Sequence, residues 1–229
     1  LKRPLLLILL VLLADQVLKV WVKLTFRYTE NIALAGDWAY LHFIENRGMA
    51  FGLEFGGPWG KPLLTLLRIV AVFALAFALR RMVRTGSPGL LVTSVALILA
   101  GALGNIIDST FYGVLFGPSS YTSVATFLPP EGGYAPLFHG AVVDMLYFPI
   151  WEGTLPAWLP YWGGQEFIFF QPVFNLADAA ITVGVVLFIL AHRREPVAEP
   201  VGPTPSPETA VPSDPGDPEA GAPAGSTPA

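Results

Sequence analysis

Four aspartates and three asparagines fall in motifs that are otherwise largely apolar: Asp15 in LLADQVLKV, Asn46 in FIENRG, Asn105 and Asp108 in GALGNIID, Asp144 in AVVDMLYF, and Asn175 and Asp178 in FNLADAA. Carboxylates brought close in a low-dielectric site cannot both ionise easily, so a pair holds one proton between them. Such a pair takes a proton from water with one member, while the other protonates a carbonyl or a leaving amine. That is aspartic peptide hydrolysis. Other chemistries are less well supplied. His42 and His139 read as loop residues and His192 ends an apolar run, so a Ser-His-Asp arrangement lacks a base. A Ser-Lys pair would rest on Lys19 and Ser109 alone. An all-oxygen site of Asp15, Asp108, Asp144 and Asp178 would suit Mg2+ or Ca2+, yet no phosphate-handling motif accompanies it, and no metal is expected. There is no cysteine, which removes disulfides, thiolate nucleophiles and Cys-type zinc sites.

The elements that must position these groups are membrane helices. Of 229 residues 53% are apolar and only 13% charged, a composition that points away from a soluble domain. Four segments, about 4–22, 63–79, 90–107 and 173–191, approach the roughly 20 apolar residues that a hydrocarbon core requires. Lys2 and Arg3 precede the first but no small-residue cleavage site follows it, so it reads as a retained helix. Positive charge in the short connections falls at Lys2, Arg3, Arg80, Arg81, Arg84, Arg193 and Arg194, which predicts both termini in the cytoplasm. Two long outward segments follow. Residues 23–62 include WAYLHFI and predict a small β-rich platform, and the aromatic clusters at 161–162 and 167–170 suit the membrane interface. The fold class expected is an all-α polytopic membrane protein of four helices with that platform and an interfacial aromatic segment. Residues 1–195 form the membrane domain and 196–229, rich in Pro, Ala and Gly, a disordered tail. No basic patch argues for nucleic acid.

Topology then fixes depth. Asp15 lies in the outer half of the first helix, Asn105 and Asp108 one turn apart at the outer end of the third, and Asn175 and Asp178 at the outer start of the fourth. A carboxylate facing lipid near mid-membrane costs at least about 2.5 kcal/mol, so these groups should face one another or a wet cavity. A structural reading stands beside the functional one for each: Asp15 pairs with Lys19 four residues on, and Asn105 makes an interhelical hydrogen bond. Gly101 and Gly104 allow close helix packing without any chemistry, and Arg68 either snorkels outward or neutralises one of the acids.

The motif series DQVLK (15–19), ENRGMAFG (45–52), GALGNIID (101–108), VVDM (142–145) and FNLADAAITVG (174–184) resembles the lipoprotein signal peptidase (signal peptidase II) family, in the family's order from about residue 4 to 194. The resemblance implies a four-helix aspartyl endopeptidase of the bacterial cytoplasmic membrane, its site toward the outer face. It would remove the signal peptide of prolipoproteins just before a diacylglyceryl-modified cysteine. Carried over by motif, the catalytic pair is Asp144 and Asp178. Asn46, Gly48, Asn105, Asp108 and Asn175 match positions lining the site, with Asp15 and Lys19 as supports. Its partners would be lipidated prolipoproteins and membrane lipid, with the cyclic peptide globomycin as inhibitor and no cofactor. This chain departs from the commonest pattern in having Ser109 after Asp108, where many members have Arg, and in a longer stretch from 108 to 144. Arg68 is the expected substitute counter-charge for Asp108.

Overall fold

The computed structural model describes residues 2–48, 57–149, 151–169 and 172–193. Its long helices are α1 (Lys2–Thr25), α2 (Gly57–Arg84) and α3 (Gly89–Ile107). A five-residue π-helical turn, Asp108–Tyr112, and a short α4 (Gly113–Leu115) continue α3. The last helix, α5 (Leu176–His192), has 17 residues. Among the described residues three helices are long and apolar enough to cross a membrane: Lys2–Thr25, Pro62–Arg84 and Gly89–Leu115. The fourth expected span, 173–191, is shorter than the others as a helix. It starts at Leu176 because Val173 and Phe174 pair with a strand instead.

Burial is inverted relative to a soluble protein. Leu9, Leu13 and Val17 of α1 and Val70, Phe73 and Phe77 of α2 are exposed, while Asp15 and Lys19 of α1 are closed off from solvent. An apolar exterior around a polar interior is what a hydrocarbon solvent selects. Helix α3 is central and packs on α1, α2 and α5. Its approaches to α5 and α1 require glycine, as expected from the sequence: a Cβ on Gly101 would lie 2.2 Å from the Ala177 carbonyl oxygen of α5, and one on Gly104 would lie 2.6 Å from Asp15 Oδ2 of α1. Small residues here bring backbone against backbone and draw the polar groups of three helices together.

At one end of the bundle sits an antiparallel sheet in the order β1-β2-β3-β6. Its strands are β1 (Asn31–Ala35), β2 (Ala39–Asn46), β3 (Val142–Tyr147) and β6 (Val173–Phe174). The platform expected in 23–62 thus takes one of its four strands, β3, from the second long outward segment and another, β6, from the start of the expected fourth span. His42, expected in a loop, lies in β2. The register sets Ile44 opposite Asp144 and Asn46 opposite Val142, and β6 pairs through Phe174 with Leu146. The sheet therefore carries Asp144 and leads directly into α5. Val22, Phe26, Phe43, Tyr112, Phe116, Val143 and Met145 form the core that welds the sheet to the ends of α1 and α3. A separate hairpin, β4 (Trp151–Thr154) with β5 (Glu166–Phe169), holds exposed Trp158, Tyr161 and Trp162 between its strands. Phe170, part of the expected aromatic segment, and the tail 196–229 lie outside the described residues.

The long stretch after Asp108 returns to the helix it left. Amides of Ala135, Phe138 and Gly140 donate to the carbonyls of Gly113, Thr110 and Ser109 at 3.0, 3.1 and 3.0 Å. A π turn at a helix end leaves such carbonyls without helical partners, and in a dry setting each must be bonded. Gly140 makes this possible, because a Cβ there would sit 2.2 Å from the Asp108 carbonyl oxygen.

Candidate active site

Seven of the nine residues expected at the site form one connected hydrogen-bond network, an eighth joins it through Asn46, and the ninth, Asp178, is bound at its edge. Lys19 is fully buried and bonds Asp15 Oδ2 at 2.9 Å, Asp108 Oδ2 at 2.8 Å and Asn105 Oδ1 at 2.9 Å. Its three ammonium hydrogens are thereby all used. An ammonium thus stands between Asp15 and Asp108, where a shared cation between carboxylates would stand. Among the described residues no group of three or more His, Cys, Asp or Glu could hold a metal ion. The same bonds leave Lys19 no free lone pair for a Ser-Lys mechanism.

This buried pairing corrects the expectation for Arg68. The counter-charge of Asp108 is Lys19, one helix away in α1, and Arg68 donates instead to Ser109 Oγ at 3.1 Å. The remaining lone pairs of Asp108 accept from Gln16 Nε2 at 2.9 Å and the Val143 amide at 3.4 Å. Asp108 thus ties α1 to β3. Asp15 does the same for α5, its Oδ1 accepting the Ala177 amide at 2.9 Å. That amide is one of the free donors of a helix N-terminus, where a carboxylate is favoured.

Asn175 is the N-cap of α5, and its Oδ1 accepts the Asp178 amide at 2.9 Å. The cap turns its other end into the site, where Nδ2 donates to Asp144 Oδ1 at 2.7 Å and Asn105 Oδ1 at 3.2 Å. Asn105 Nδ2 donates to Asp178 Oδ1 at 2.7 Å. The two acids are therefore hung from two amides that also bond each other. Asn46 donates to Asp144 Oδ2 at 3.2 Å and accepts the Gly48 amide at 2.8 Å. At Gly48 φ is +87°, and a Cβ would meet Leu64 at 2.8 Å, so only glycine closes this turn.

Asp144 is 2% exposed, whereas Asp178 is half-buried. Burial first, and the charge of Asp178 second, push the Asp144 carboxyl up to about 7, against the lowering effect of the amides of Asn46 and Asn175. A carboxyl that keeps its proton near neutrality, coupled to a more open one, is equipped to donate a proton while its neighbour accepts one.

A profile of the signal peptidase II family matches residues 7–193. The chain belongs to that family. Signal peptidase II is a protease, and the acid pair described above lies inside the matched region. A lipoprotein signal peptidase of Porphyromonas gingivalis is 48% identical over 189 residues, covering 82% of this chain and 81% of that protein. One from Amoebophilus asiaticus is 39% identical over 196 residues, 84% of this chain and 78% of its own. Among solved structures, a bacterial membrane enzyme determined by the in meso method at 2.3 Å resolution superposes with a TM-score of 0.58. It shares 21% identity and covers 84% of this chain and 88% of that one, so the fold is shared.

Sequence reasoning missed two members of the signal peptidase II network. Gln16 bridges Asp15, Asp108 and the Gly104 carbonyl, and Tyr112 donates its hydroxyl to Gln16 Oε1 at 3.2 Å. Gln16 was legible as a polar residue beside Asp15 in an apolar helix. Tyr112 lies four residues beyond Asp108, and only the π turn decides which way it faces.

Proposed function

We propose that this chain is an aspartyl endopeptidase that removes the signal peptide of bacterial prolipoproteins, cutting just before a diacylglyceryl-modified cysteine with Asp144 and Asp178 as the dyad. The observation that carries the reading is the suspension of these two acids from Asn175 and Asn105, with Asn46 on the far side of Asp144. Asp178 takes a proton from water as the oxygen attacks the scissile carbonyl carbon, and protonated Asp144 gives its proton to the carbonyl oxygen. Collapse of the resulting diol returns one proton to the leaving amine, breaks the C–N bond and leaves a carboxylic acid. Asn105, Asn175 and Asn46 hold the pair in register. Asp15, Lys19, Asp108 and Gly48 support it by fixing α1, α5 and the β2 turn.

In this reading α5 spans the membrane beside the other three, 17 residues being at the short end of what a bilayer accepts. The Arg-rich helix ends support a topology with both termini in the cytoplasm of a bacterial inner membrane and the sheet and the dyad at the outer face. A substrate with an apolar signal helix, acyl chains and a polar scissile bond then keeps its lipid in lipid. The exposed aromatics of the β4–β5 hairpin rest at the interface. Purified protein should cleave a diacylglyceryl-modified prolipoprotein and spare the unmodified one, and globomycin should stop it. Equal cleavage of both forms would remove the lipid requirement from the account.

A further inference from the structure

Among the described residues Arg68 is the one cation near the acid pair that the network above does not absorb. It lies in the apolar α2, where Leu66, Leu67 and Val70 beside it are exposed, and a guanidinium at such a depth is costly unless it faces polar partners. It is half-buried and faces inward, on the side of α2 from which Thr65 donates to the Phe138 carbonyl at 3.4 Å. The carboxylates of Asp178, Asp144 and Asp108 all act on its charge, yet among the described residues no ion pair involves it. Among the described residues its single side-chain hydrogen bond goes to Ser109 Oγ, and that hydroxyl gives its own hydrogen to the Asn105 carbonyl at 2.9 Å. One corner of the guanidinium is therefore pinned, through Ser109, to the helix segment that carries Asn105. Among the described residues its other side-chain N–H groups are uncommitted.

We infer that the free edge of Arg68 binds a main-chain carbonyl oxygen of the substrate next to the scissile bond. This deepens the peptidase reading above and rests on it. The carboxylate of Asp178, the base of the proposed pair, repels an anionic ligand, so the natural guest of the guanidinium is a neutral acceptor. An extended peptide offers carbonyl oxygens on both sides of the bond to be cut. A guanidinium also presents a planar fork of donors that two acceptors can share, which an ammonium lacks. Ser109 is a positioning residue that acts through Arg68, while Arg68 itself touches substrate.

The test is steady-state cleavage of a diacylglyceryl-modified prolipoprotein by the full-length protein in detergent. A charge-assisted hydrogen bond lost from substrate binding is expected to raise KM about 10- to 100-fold in R68Q, with kcat changed much less. S109A should raise KM several-fold in the native background and not at all in R68Q, because its effect passes through the guanidinium. If R68Q does not fold, R68K keeps the charge at the same depth without the fork, and its KM should still rise. An unchanged KM in R68Q or R68K, a loss confined to kcat, or additive effects of S109A and R68Q would overturn the inference. Wild type that cleaves while D178N does not leaves the peptidase reading standing whatever Arg68 does, so the two fail separately.

Discussion

Replacing Asp144 by asparagine should cost activity yet stabilise the fold at alkaline pH. The carboxyl is buried and its proton affinity is raised from 3.8 to about 7. Below about pH 4 it is protonated in the folded and the unfolded chain alike and carries no penalty. Between about pH 4 and 7 the unfolded chain releases this proton while the folded one keeps it, so native stability falls by about 1.4 kcal/mol per pH unit. Above pH 7 the penalty levels off at an upper bound of about 4 kcal/mol. An amide at this position never ionises and escapes that loss. It does turn one N–H2 group toward the donor of Asn46 or Asn175, leaving one donor unbonded at a cost of about 1–2 kcal/mol. D144N is therefore expected to be about 1 kcal/mol less stable than wild type near pH 4 and about 2–3 kcal/mol more stable near pH 8. Unfolding of the two proteins in detergent across that range measures the difference, which should change sign near pH 5. A difference that does not vary with pH would refute the reasoning, because it would mean that Asp144 ionises as easily in the fold as outside it.

In the proposed mechanism the same proton governs turnover. With Asp144 as the acid, kcat/KM should fall as pH rises through about 7, approaching tenfold per unit, and a rate that holds flat to about pH 9 would assign the acid elsewhere. Lys19→Met removes the cation shared by Asp15 and Asp108 and leaves two buried carboxylates unpaired. It should cost about 3–5 kcal/mol of stability, read as a large fall in melting temperature, and a melting temperature within a degree of wild type would show that Lys19 is dispensable.

Much of this arrangement was legible in the sequence because the bilayer penalises stray polar groups. Asp15, Lys19, Asn105, Asp108, Asn175 and Asp178 stand out against apolar helices, and helical spacing alone puts them at one level. Asp144 was legible as an acid in an apolar run, but not as a strand residue. VVDMLY joins β2 and β6 only through pairing with segments about a hundred residues before and about thirty after it, which no local pattern encodes. The same long-range pairing moved the start of α5 from 173 to Leu176. Arg68 shows the other limit. From spacing, a cation in α2 and an acid at the end of α3 look like partners, yet Lys19 reaches Asp108 first because Gly104 lets α1 and α3 close on each other. The path of residues 116–141 follows from carbonyls freed by a π turn, and nothing in DSTFY announces that the turn will be π rather than α.

The central claim is that Asp144 and Asp178 together cut the prolipoprotein. Its most direct test is mass spectrometry of a diacylglyceryl-modified prolipoprotein after incubation with purified wild type, D144N and D178N, each checked to be folded. Wild type should release a product whose first residue is the lipidated cysteine, and each variant should leave the precursor intact. Cleavage at that bond by either folded variant at the wild-type rate would contradict the dyad.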